Sequence, residues 1–123
     1  MKKPLIIPLL VLFCFPLILA SCSKPLVDKE LQFGIWASQK NLWDEAIFRW
    51  KKVLASNPNS APAHNNLAVA YEKKGLWEDA KKEYEAALKI APNDTSITSN
   101  YKKFKENLAP EKEKDKKEKN EKK

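Results

Sequence analysis

Leu42-Trp43-Asp44-Glu45-Ala46 returns thirty-four positions later as Leu76-Trp77-Glu78-Asp79-Ala80, and this repeat constrains the fold more than any other feature of the chain. At the same offset Trp50 matches Tyr84, Val53-Leu54 match Ala87-Leu88, Asn57-Pro58-Asn59 match Ala91-Pro92-Asn93, and Phe33-Gly34 match Leu67-Ala68. A recurring unit of this length is one supersecondary element, whose apolar face stays open until a neighbour stacks on it. Within each unit the apolar spacing is helical. Val27, Leu31, Gly34, Ile35 and Ala37 mark a first helix, and Trp43, Ala46, Ile47, Trp50, Val53 and Leu54 a second. Leu67, Ala68, Ala70 and Tyr71 mark a third, and Trp77, Ala80, Tyr84, Ala87 and Leu88 a fourth. Asn41 and Gly75 suit left-handed turns inside the two hairpins. Pro58 and Pro92 stop the second and fourth helices, and Ser60 and Asp94 offer side-chain oxygens to cap the third and fifth. Gly34, Ala46, Ala68 and Ala80 are small because paired helices approach to about 8–10 Å.

These residues resemble the tetratricopeptide repeat, a helix-turn-helix unit of thirty-four residues with small residues in its hairpin, aromatics between them and a proline near its end. The first unit, residues 27–60, matches with Phe33, Gly34, Ala46, Trp50 and Pro58 and departs at Glu30, Ala37 and Val53. The second, 61–94, matches with Leu67, Ala68, Tyr71, Ala80, Tyr84, Ala87 and Pro92, with His64 in a large-residue place. The resemblance implies an all-α fold: two repeat hairpins plus a C-terminal capping helix, forming a short right-handed α-solenoid. The cap is read at 95–109, where Ile97, Tyr101, Phe104 and Leu108 form one apolar stripe and Lys102, Lys103, Lys105 and Glu106 face water. From 110 to 123 the chain is almost wholly Lys, Glu, Asp and Asn, which buries nothing to offset chain entropy, so a disordered tail is expected.

The amino terminus has a different character. Lys2 and Lys3 precede a nearly uncharged run from Pro4 to Leu19, broken by Pro8 and Pro16 and short of the roughly twenty residues a spanning helix needs. That pattern reads as a secretory signal over residues 1–21. Its end, Leu19-Ala20-Ser21-Cys22, resembles the bacterial lipobox. The resemblance implies a diacylglyceryl group on the Cys22 thiol, cleavage just before that residue and acylation of the new amino terminus. Two or more acyl chains hold a protein stably on a bilayer. Residues 22–26 then form a tether, so the domain is expected to stay close to the extracytoplasmic membrane surface. Ser23 leans toward outer-membrane sorting in a cell that has one.

Chemistry is scarce. Of two cysteines, Cys14 leaves with the signal and Cys22 is taken by lipid, and one histidine, His64, is too few for a zinc cluster. His64 is read as a packing residue. Asp44-Glu45 and Glu78-Asp79 open helices, where carboxylates favour the helix dipole. No nucleophile elbow, phosphate loop or metal-ligand spacing is present, so no enzyme and no cofactor beyond the covalent lipid is expected. The net charge of +7 is dispersed among Glu and Asp, which argues against nucleic acid and suits a protein near anionic lipid.

Function is then expected in a surface. In the family, the first helix of each pair lines a concave groove, which implies a protein-binding site at Leu31, Ile35 and Gln39, then Asn65, Val69, Glu72 and Lys73. Trp36 and Phe48 stand where the family carries small and polar residues. They either cover the open end of the core or touch a second protein or the membrane, and Leu42 and Leu76 are further candidates for exposed apolar surface. Two repeats and a cap are fewer than the three usually needed, so self-association or a partner is expected to supply packing. The expected function is a membrane-anchored, non-enzymatic protein-interaction module or adaptor of a cell-envelope assembly. The alternative is a structural protein linking membrane and wall through its basic surface and tail.

Overall fold

The computed structural model describes the backbone of residues 24–121 and the side chains of 26–108. The signal read at 1–21 and its Cys22 lie outside the described residues. Within them the chain is all helix: α1 (Lys24–Gln39), α2 (Trp43–Ser56), α3 (Ala61–Lys73), α4 (Trp77–Ile90) and α5 (Thr95–Glu121). α1/α2 and α3/α4 form two antiparallel hairpins, and α5 packs on α4 and α3 as the expected cap.

The turns form for the reasons the sequence suggests. α1 ends as Asn41 takes φ 59°, while Leu42 N–H donates to Ala37 O and Asn41 N–H to Ser38 O, both at 3.0 Å. α3 ends the same way, with Gly75 at φ 71°, Leu76 N–H donating to Tyr71 O and Gly75 N–H to Glu72 O. Each is a helix stop that satisfies otherwise orphaned carbonyls and places an apolar residue just beyond the left-handed one. Leu42 and Leu76 therefore belong to the stop signal, although each keeps roughly half its surface in water. Neither supplies a capping oxygen to the helix it precedes; instead Asp44-Glu45 and Glu78-Asp79 occupy the first turns of α2 and α4. Ser60 Oγ accepts from Ala63 N–H at the start of α3, and Asp94 Oδ1 accepts from Ser96 and Ile97 N–H at the start of α5.

The core runs as a row of clusters along the stack. Ala37, Ala46, Ile47, Trp50, Leu67 and Ala70 join the first hairpin to α3. Ala68, Ala80, Tyr84 and Phe104 join the second hairpin to α5, and Ala61, Ala87 and Ile97 close its lower edge. Tyr84 and Phe104 meet in a tilted pair with centroids 5.3 Å apart, so α5 seals the last hairpin with Phe104 fully buried. Gly34 is needed by the first hairpin alone: Trp50 Nε1 donates to Leu31 O at 3.3 Å, and the indole lies directly on the glycine.

Two boundaries differ from expectation. α1 already begins at Lys24, with Pro25 in its first turn, so residues 24–26 of the tether expected at 22–26 are helical. At the other end, α5 runs past the expected limit at 109, and the backbone of 110–121 is helical where disorder is expected. A helix does not need burial to be favoured where its residues have high intrinsic propensity. Lys and Glu, which dominate this segment, are good helix formers in their own right.

Candidate interaction surface

The expected groove residues divide into two groups. Leu31 and Ile35 of α1 are half-buried against the first core cluster, and Gln39 at the end of α1 and Lys73 at the end of α3 are exposed. The three remaining positions on α3 are engaged within the chain by α5. Asn65 Oδ1 accepts from Asn100 Nδ2 at 3.1 Å, Val69 packs beside Phe104's cluster, and Glu72 accepts from Tyr84 Oη at 3.2 Å and Asn107 Nδ2 at 3.3 Å. Burial, with the Glu72 carboxylate beside it, pushes the Tyr84 hydroxyl far above its ordinary range, so it remains a donor. The cap helix thus takes the second-repeat half of the groove. α5 does not engage Leu31 and Ile35, each partly in water, or the exposed Gln39 at the end of α1 and Lys73 at the end of α3.

The family pattern makes His64 a packing residue, but the structure uses its polar atoms. Nε2 donates to Pro58 O at 2.8 Å, and Nδ1 meets Glu83 Oε2 at 2.6 Å. The ring ties the inter-repeat turn to α3 and α4, and its two contacts account for a polar residue in a large-residue place.

The open end at α1 carries a second surface. Leu26, Phe33, Trp36 and Phe48 are 60, 39, 47 and 54 % exposed. Trp36 and Phe48 therefore keep about half of their surface in water. Phe33 and Trp36 pack with ring centroids 5.2 Å apart, and the Arg49 guanidinium sits 4.4 Å above Phe33 and 5.5 Å from Phe48. Arg49 in turn donates to Glu45 at 2.6 Å and to Glu30 at 3.0 Å, and Lys52 donates to Glu30 at 2.6 Å. These two cations, through hydrogen bonds from Lys52 and then Arg49, hold the Glu30 carboxyl below its usual range. The network joins residues nineteen and twenty-two positions apart, beyond the reach of a local pattern. Its signal is present in the repeat, since Glu30 stands where the family wants a large apolar residue, with Arg49 and Lys52 one helix away.

Among the described residues no three His, Cys, Asp or Glu side chains converge as metal ligands, and no helix is long and apolar enough to cross a membrane. Comparison with known proteins places the chain among repeats of this shape. A family model described as tetratricopeptide repeat matches residues 39–100, half of the chain. A relative from Mus musculus, protein O-mannosyl-transferase TMTC4, is 38% identical over 64 residues. That match takes in 52% of this chain but only 9% of the relative. The likeness is therefore to a short segment of a much longer protein.

Proposed function

Since the chain belongs to the tetratricopeptide-repeat family, we propose that it is a lipid-anchored envelope protein whose repeat domain binds another protein and catalyses nothing. The observation that carries this reading is the division of the concave side. α5 closes the last hairpin and engages Asn65, Val69 and Glu72, yet Leu31, Ile35, Gln39 and Lys73 are left without a covering element among the described residues. A domain that small, with its core completed by its own cap, has little besides surface to offer.

The anchor half of the proposal rests on Leu19-Ala20-Ser21-Cys22 and on the helix start at Lys24. With only Ser23 between Cys22 and α1, acyl chains on Cys22 hold the first hairpin at the bilayer surface. The partner is accordingly a protein at or near the same membrane. A photo-crosslinking residue at Gln39, introduced in living cells, tests the interaction. A discrete adduct that disappears on Lys73→Glu and survives Lys89→Glu, on the far side of α4, supports the proposal. An anchored, folded protein that yields no adduct contradicts it and favours a purely structural link between membrane and wall.

A further inference from the structure

The repeat supplies its own control for the exposed end. Ser60 at the cap of α3 and Ala63, Leu67 and Ala70 within it are all buried, and Leu67 and Ala70 share a cluster with Ala46, Ile47 and Trp50 of the preceding α2. Thirty-four positions earlier, the same face of α1 presents Leu26, Lys29, Phe33 and Trp36, and no described residue covers it. Phe48 extends the face onto α2, joined to Phe33 through the Arg49 guanidinium, while Leu26, Lys29, Glu30 and Arg49 border a shallow depression beside Phe33. Three aromatic side chains of about 150–250 Å² each, left roughly half in water, expose on the order of 300 Å² of apolar surface at this end, with Leu26 beside them.

The residue sizes decide what the patch is for. Where α2 seats on α3, Ala63 and Ala70 permit the close approach. Their counterparts on α1 are Lys29 and Trp36. A helix placed as α2 is placed would meet the Trp36 indole and bury the Lys29 ammonium without a partner. A second copy, face to face, would have to strip water from Lys29 and from the Glu30–Arg49–Lys52 network. A lipid headgroup layer makes neither demand. It deforms around indole and phenyl rings, which favour the boundary between hydrocarbon and water, and its phosphates suit a cationic fringe. The fringe carries three cations, Lys29, Arg49 and Lys52, against Glu30 and Glu45, a modest excess that leaves most of the attraction to the rings.

We infer that the Leu26–Phe33–Trp36–Phe48 face lies against the anionic leaflet that carries the Cys22 lipid. The inference rests on the anchor proposed above and adds an orientation: the first hairpin lies down on the membrane, and α4 and α5 project away from it. The tether is too short for a freely tumbling domain, and the face begins within one helical turn of it.

The test uses the full lipidated chain in phosphatidylethanolamine/phosphatidylglycerol vesicles doped with brominated lipids. Mass spectrometry of the same preparation reports whether Cys22 carries its lipid. Trp50 is buried and Trp43 and Trp77 are half-buried, so quenching by the bromines should fall on Trp36. The expected result is a quenched component that vanishes in Trp36→Phe, returns when Phe48→Trp is added, and weakens in phosphatidylcholine vesicles. Circular dichroism should be unchanged throughout, because both positions are exposed. Lipid on Cys22 with unquenched Trp36 overturns the orientation and leaves the anchor standing. A photo-crosslinker at position 36 that joins two copies, or joins a protein in place of lipid, overturns it as well. Absence of lipid on Cys22 overturns both.

Discussion

Replacing Gly34 by alanine separates the two repeats energetically, because the equivalent position in the second is already Ala68. A methyl built on Gly34 would stand 2.7 Å from Trp50 Cδ1 and 2.8 Å from Cε2, well inside van der Waals contact. The indole cannot swing away cheaply: it is 2 % exposed and its Nε1 donates to Leu31 O. Overpacking of a tight core costs about 1–3 kcal/mol, and so direct a collision belongs at the upper end. Removing a helix-interior glycine returns about 1 kcal/mol. The net loss is then about 1.5–2 kcal/mol, which in a domain of this size lowers the melting temperature by about 6–16 °C. In the second hairpin the partner of Ala68 is Tyr84, a narrower ring, and both are fully buried. Gly34→Ala combined with Trp50→Tyr should therefore recover most of the loss, with a coupling of at least about 1 kcal/mol in a double-mutant cycle. Thermal unfolding followed by circular dichroism at 222 nm measures all four proteins. A single Gly34→Ala variant as stable as the parent, or additive effects of the two changes, would refute the close-packing account.

Other outcomes concern the turns, the cap and the ion network. Gly75 sits at φ 71° with no atom near where its Cβ would be, so Gly75→Asn, copying Asn41, should cost only a few tenths of a kcal/mol, while Gly75→Val should cost about 1–2 by denaturant titration. Asp94→Ala removes the acceptor for two amides of α5 and should cost about 1 kcal/mol, with hydrogen exchange rising first at Ser96 and Ile97. Glu30 has its pKa lowered from 4.5, so its contribution is fully present above that value and is lost as pH falls through the lower native one. Melting curves between pH 7 and pH 3 should accordingly fall less steeply for Glu30→Gln than for the parent; parallel curves would show that the Arg49–Lys52 network is energetically silent.

The repeat makes most of the architecture legible. Position 41 or 75 for the left-handed residue, Ser60 and Asp94 for caps, and the helix stripes are all local, and the structure places each where its chemistry requires. What the sequence does not carry is long-range or negative. Asn65 and Glu72 read as free groove residues because their partners, Asn100 and Asn107, lie thirty-five positions away on a helix outside the repeat register. The place of His64 in the family pattern is defined by size, and a size argument is blind to Glu83 and the Pro58 carbonyl. The helix beyond 109 escapes an argument that weighs burial without intrinsic propensity. Exposure of Phe33 comes from its unit being first: Leu67 has a helix in front of it, and Phe33 has none among the described residues.

The central claim joins a lipid anchor to a repeat domain, and the mass of the mature amino-terminal peptide tests it most directly. Membranes from cells expressing the chain should yield a peptide beginning at Cys22, heavier than its sequence by a diacylglyceryl group and an acyl chain, and Cys22→Ser, which removes the thiol that carries the lipid, should yield no such peptide. An unmodified Cys22, or a mature chain that begins at another residue, would contradict the account.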